Sequence, residues 1–170
     1  MKILAIDTTG NDGYVALYER ERLIRILPIL ENMHTCHLLE KIDQLLKDNE
    51  IDLDTIDYFA ACIGPGSFTG TRIGVLTAKS LAFAKKKPVI GYKSFIGRSP
   101  PLVYIGKRKV AFANPDGSIQ VKPADPTPAN CPFGLQRTLD MTAIGHHIVN
   151  NIDQKLHENE KNLEIAYPEI

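Results

Sequence analysis

The stretch "DYFAACIGPGSFTGTRIGVLTAKSLAFAKKKPVIGY", residues 57–92, limits the fold more than any other part of the chain. "DYFAACI" is a strongly apolar run of strand length, and "GPGSFTG" is turn chemistry. A helix-length segment then runs to Lys85, Lys86 and Lys87, Pro88 stops it, and "VIGY" resumes as a strand. Strand, loop, helix and strand in that order form a crossover unit, with the two strands parallel and the helix laid on the sheet between them.

The helix, predicted from about Thr71 to Lys86, has an unusual make-up. Gly70, Gly74, Ala78 and Ala82 recur every fourth residue as a row with almost no side chain. Ile73, Val75, Leu76, Leu81 and Phe83 make the rest apolar nearly all round, with Arg72 and Lys79 as the charges before the terminal lysines. A sheet can bury one side; a second apolar side needs a second cover. What supplies that cover stays open at this point: a partner interface formed by the small-residue row with Leu38, Ile42 and Leu45 on the preceding helix, or that helix and the second lobe of the same chain. In the loop, Gly64 and Gly66 permit backbone angles closed to other residues, Pro65 stiffens it, and Thr69 is placed to cap the helix. The loop fits neither nucleotide template. Gly64 and Gly70 are separated by five intervening residues with Thr71-Arg72 following, where a P-loop needs four and a Lys-Ser/Thr pair, and the third glycine comes one position late for a dinucleotide fingerprint. Ser67 is not a G-x-S-x-G nucleophile, since the second flanking glycine falls one place too far.

Upstream, "KILAID" reads as a strand buried on both faces, "YVALYE" as a half-buried one, and "RLIRILPI" as a third strand whose Pro28 implies an edge or an end. Leu38, Leu39, Ile42, Leu45 and Leu46 mark one face of a helix, with Glu40, Lys41, Asp43, Gln44 and Lys47 on the other. The resulting order, β-β-β-α-β-α-β over residues 1–96, is that of an α/β lobe. Residues 97–170 form a second, reduced lobe. It holds a meander turned by "NPDG", a proline-rich loop "ADPTPANCPFG", an amphipathic helix marked by Met141, Ile144, Ile148, Ile152 and Leu156, and "LEIAYPEI" as a closing strand.

Composition removes several function classes. The chain has 170 residues, 44% of them hydrophobic and 24% charged, enough to bury a core. Twenty Lys and Arg balance twenty Asp and Glu, so no global basic field points to nucleic acid. Cys36, Cys62 and Cys131 share no metal-type spacing and read as reduced thiols. The N-terminal apolar stretch is too short for a signal peptide, and no apolar run approaches membrane-spanning length, so a cytoplasmic location and no membrane contact are expected. His34 and His37 stand three apart on one helix face beside Cys36, but no third ligand follows at a recognisable spacing, so no metal site is expected. His146 and His147 are adjacent and point to different sides of a helix.

"ILAIDTT" at 3–9, "HTCHLLEKIDQLL" at 34–46, and above all "GPGSFTGTRIG" at 64–74 with "AKSLA" at 78–82 resemble the TsaB (YeaZ) family, subunits of the bacterial machinery that makes threonylcarbamoyladenosine in tRNA. The resemblance covers residues 1 to about 95 and implies an actin-like ATPase fold on a ribonuclease-H-like lobe. It places Asp7, Thr8 and Thr9 where that superfamily faces nucleotide phosphates and metal. The adenosine-binding glycines of the superfamily come from the second lobe, and here Gly134 and Gly145 stand alone, so the loop is read as vestigial and no cofactor, ATP and Mg²⁺ included, is expected in the isolated chain. The motif loop to be located is Gly64, Pro65, Gly66, Ser67, Phe68, Thr69, Gly70 and Arg72. The resemblance further implies a non-catalytic subunit docking on a TsaD-like enzyme through paired helices, with tRNA met only through the complex. Two alternatives stand beside it: a nucleotide-dependent or peptidase-like hydrolase using Asp7 and the 64–72 loop, and a homodimeric interaction module with no tRNA link.

Overall fold

A computed structural model of the protein describes residues 1–10, 13–29, 34–99, 101–106, 109–123 and 138–155. Strands β1 (Lys2–Asp7), β2 (Tyr14–Glu19) and β3 (Arg22–Pro28) are followed by α1 (His34–Asp48), β4 (Tyr58–Cys62), α2 (Phe68–Lys85) and β5 (Val89–Tyr92). This is the order read from the sequence. The five strands form one mixed sheet in the order β3-β2-β1-β4-β5. β1 pairs antiparallel with β2 and parallel with β4, and β4 pairs parallel with β5. Central β1 lies between two neighbours and two covered faces, so every residue from Ile3 to Asp7 is buried. Edge strand β3 is largely exposed; it carries Arg22 and Arg25, ends at Pro28, and pairs with β2 across a register shift at Leu17/Tyr18, all of which discourage further strand pairing.

One sheet face is covered by α1 and α2. Leu38, Ile42, Leu45 and Leu46 from α1 and Val75, Ala78 and Ala82 from α2 share a core with Leu4, Ile6, Val15, Leu17, Phe59 and Ala61. The opposite face is covered by α3 (Met141–Lys155), whose Ile144, Ile148 and Ile152 pack with Ile3, Ala5, Ala16, Tyr18, Ala60 and Ile90. Asp140 caps α3 by accepting the Thr142 and Ala143 N–H groups at 2.9 and 3.0 Å. Gly145 lets α3 sit directly on the β2–β3 turn, where any Cβ would overlap the Glu21 carbonyl oxygen. β6 (Arg98–Ser99) pairs with β10 (Thr138–Leu139). β7 (Leu102–Gly106), β8 (Lys109–Ala113) and β9 (Ile119–Pro123) form the expected meander, which closes over Phe95, Val103 and Ala111. The proline-rich loop and the expected closing strand lie outside the described residues.

Helix α2 begins one turn earlier than the sequence suggested, and Thr69 is not its cap. Ser67 is the cap, its side chain accepting the Gly70 N–H at 3.2 Å, and Thr69 lies inside the first turn. At the other end Lys86 adopts a left-handed conformation (φ 52°), and the Lys87 N–H returns to the Ala82 carbonyl at 2.9 Å before Pro88 breaks the helix.

Candidate functional site

The Asp7 loop, the glycine-rich loop and the segment from Ser94 to Arg98 meet at the carboxyl ends of β1, β4 and β5. Asp7 is fully buried. A buried carboxylate in an apolar strand needs strong partners, and both of its oxygens have them. Oδ1 accepts the Thr9 N–H at 2.8 Å and the Thr9 hydroxyl at 2.6 Å. Oδ2 accepts from the Arg98 guanidinium at 3.0 Å, an ion pair that is itself buried. Arg98 also donates to the Ser94 carbonyl, and Ser94 donates its hydroxyl to the Pro65 carbonyl and its N–H to Gly64, at 3.1 Å for the latter. The Ser67 N–H donates to the Thr9 carbonyl at 2.7 Å, and the Thr8 hydroxyl to the Gly70 carbonyl at 2.6 Å.

The glycines of the motif find their explanation here. A Cβ at Gly66 would overlap the Thr9 carbonyl oxygen, one at Gly70 the Thr8 carbonyl oxygen, and one at Gly74 the Thr8 hydroxyl. The loop and the first turns of α2 are seated directly on the 7–9 backbone. Gly64 has φ of 92° and precedes a cis peptide to Pro65. Among the described residues the geometry is one of close contact between backbones: the N–H groups of Thr9, Ser67 and Gly70 are already given to protein oxygens and form no cradle for phosphate. The residues present therefore do not fit the metal and nucleotide that the fold class implies at Asp7. Calorimetry of the isolated chain with Mg-ATP is expected to show no micromolar binding; micromolar affinity lost on Asp7→Ala would favour the enzyme reading instead.

The small-residue row is corrected by its burial. Gly70, Gly74, Ala78 and Ala82 are all buried and turn toward the protein's own sheet, as are Leu38, Ile42 and Leu45 on α1. Neither set is available to a partner. The exposed side of α2 carries other apolar residues: Phe83 is 88% exposed, Leu76 66% and Phe68 56%, and Leu39 on α1 is 63% exposed. Arg72 lies over the Phe68 ring, 3.7 Å from its centroid. Ser67 is occupied as the helix cap. His37 bonds Glu40 at 2.7 Å on the surface, and the side chains of His34 and Cys36 lie outside the described residues. Among the described residues no group of three His, Cys, Asp or Glu is placed to hold a metal ion, and no helix is long and apolar enough to cross a membrane.

Arg98 is the site residue that sequence reasoning missed. The signal for it is indirect, in the need of a carboxylate at the end of an apolar strand for a cation.

Around the pair, Cys62 is buried with its sulfur 3.7 Å from the Thr9 hydroxyl, and the Tyr14 and Tyr92 hydroxyls meet at 3.0 Å. Burial pushes the Cys62 thiol and both phenols well above their usual values, and the Asp7 charge adds to the effect. Native pKa values above unfolded ones mean that these groups stabilise the fold below the unfolded values, and that this contribution is lost as pH rises beyond them. The melting temperature should hold through neutral pH and fall from about pH 9, where an unfolded thiol and then the phenols ionise. Circular dichroism melts across that range check it; a flat profile to pH 11 would contradict it.

A family model described as TsaD, tRNA N6-adenosine threonylcarbamoyltransferase, matches residues 28–99. The tRNA threonylcarbamoyladenosine biosynthesis protein TsaB of Haemophilus influenzae is 38% identical over 90 residues, 53% of this chain and 38% of that protein. TsaB of Escherichia coli K12 is 34% identical over 96 residues, 56% of this chain and 42% of that protein. Over about half its length, the chain is similar to proteins of the TsaB/YeaZ family. The matched stretch spans about two fifths of these TsaB relatives' own length. YeaZ from Pseudomonas aeruginosa superposes with a TM-score of 0.60 at 24% identity, covering 75% of this chain and 71% of that one. A structure described as an uncharacterized protein with similarity to the peptidase YeaZ from Pseudomonas aeruginosa gives 0.68 at 19% identity, with 98% of both chains covered. At these identities the structural likenesses establish the fold: the actin-like, ribonuclease-H-like arrangement of the TsaB/YeaZ lobe.

Proposed function

We propose that this chain is a non-catalytic partner subunit that docks on a TsaD-like enzyme and supports threonylcarbamoyl transfer to tRNA adenosine. The observation that carries the reading is the exposed apolar side of α2 (Phe68, Leu76 and Phe83) beside α1 with its exposed Leu39, on a lobe whose Asp7 loop is closed. Large apolar side chains clustered on one solvent face favour a protein surface as their cover. In this reading residues 1–96 supply the docking helices, and α3, within the reduced second part of the chain, covers the opposite face of their sheet. Contact with tRNA is indirect. The charge is balanced, and Lys85, in one of the few basic runs, is already paired with Asp54. A second copy of the chain is the competing occupant of the same side of α2.

The reading is tested by purifying the tagged chain at native abundance from its own cells and identifying what comes with it. Recovery of a TsaD-like protein in stoichiometric amount is expected. Recovery of the chain with only itself would favour the homodimeric module.

A further inference from the structure

We propose that Arg98 is the built-in cation of the Asp7 loop, a guanidinium that stands at the carboxylate where the fold class holds metal and phosphate, and that it fastens three loops into one closed unit. The inference stands on the isolated chain and does not rest on the partner reading. Three observations carry it. Asp7 and Arg98 are both buried, their side chains 0% and 5% exposed, so neither charge is balanced by solvent. The two other donors on Asp7, the Thr9 N–H and hydroxyl, are neutral and lie on the opposite carboxylate oxygen, leaving the guanidinium as the cation at Oδ2. The same guanidinium holds the Ser94 carbonyl, and Ser94 in turn holds the Gly64 and Pro65 carbonyls, so one cation links the 7–9, 64–70 and 94–98 segments.

Breaking a buried pair by removing one partner leaves the other charge uncompensated, which costs far more than removing both. Arg98→Ala should therefore melt roughly 10 °C below the natural chain. Methylguanidinium, the lost side-chain head as a free cation, should at about 10 mM raise the melting point of that variant by several degrees. Methylammonium and sodium chloride at equal ionic strength should not. Asp7→Asn/Arg98→Ala, with both charges gone, should melt above Arg98→Ala and gain nothing from methylguanidinium. The proposal is overturned if Arg98→Ala melts like the natural chain, if methylguanidinium leaves it unchanged, or if it raises the double variant equally. Should Arg98→Ala fail to fold, the double variant decides: regained folding supports charge balance at this pair, and equal failure of both variants overturns it.

Discussion

Ala78→Arg is expected to leave the chain unfolded. Ala78 is fully buried where α2 crosses the sheet, in the core that holds Leu4, Ile6, Phe59 and Val75. An arginine there meets closely packed hydrocarbon with no carboxylate within the cluster, so the guanidinium is either desolvated without a partner or forces α2 off the sheet. Either outcome costs about 4 kcal/mol at the least, and both together approach the roughly 5–15 kcal/mol that a domain has in hand. Ser80→Arg, two residues away on the exposed side, should change stability by no more than about 0.5 kcal/mol. Thermal melts of the two variants side by side test the direction in which the small-residue row faces. A normal melt for Ala78→Arg would put that row back on the surface.

The second large effect falls on association and spares the fold. Leu76 and Phe83 lose little apolar burial when replaced by arginine, because they are largely exposed in the free chain. Leu76→Arg and Phe83→Arg should melt within about 1 °C of the natural protein. Their cost appears only when a partner covers α2. An apolar anchor replaced by a charge at the centre of an interface weakens binding by about 2 kcal/mol or more, roughly thirtyfold. The pairing of outcomes separates the two faces of one helix: Ala78→Arg loses the fold, whereas Leu76→Arg keeps it and loses the complex.

The strand and helix order was legible because the relevant signals are local. "KILAID" and "DYFAACI" are mostly apolar since β1 and β4 are interior strands covered on both faces, and α1 shows a two-sided pattern, the exposed Leu39 excepted, because one side meets water. The direction of the α2 row was not legible for the same physical reason. A helix apolar nearly all round carries no preferred side in its periodicity, and small residues suit close approach to a partner or to a strand equally well. What decides it is Thr8, whose carbonyl and hydroxyl occupy the space above Gly70 and Gly74. The start of α2 was misplaced because Ser67 and Thr69 are both competent caps, and only the direction of the Ser67 side chain toward the Gly70 N–H distinguishes them. Arg98 escaped notice because its partner is ninety-one positions away. That α3 would cover the back of the first sheet was equally hidden, since an amphipathic helix declares that it has a buried side without declaring against what.

Titration calorimetry of the purified chain into a TsaD-like protein from the same source, repeated with Leu76→Arg, is the most direct test of the central claim that this is a docking subunit working through the exposed side of α2. The account predicts one-to-one binding by the natural chain, weakened at least about thirtyfold in the variant while its melting point is unchanged. No heat from the natural chain at concentrations of about 50 μM, or equal affinity for both, would contradict it.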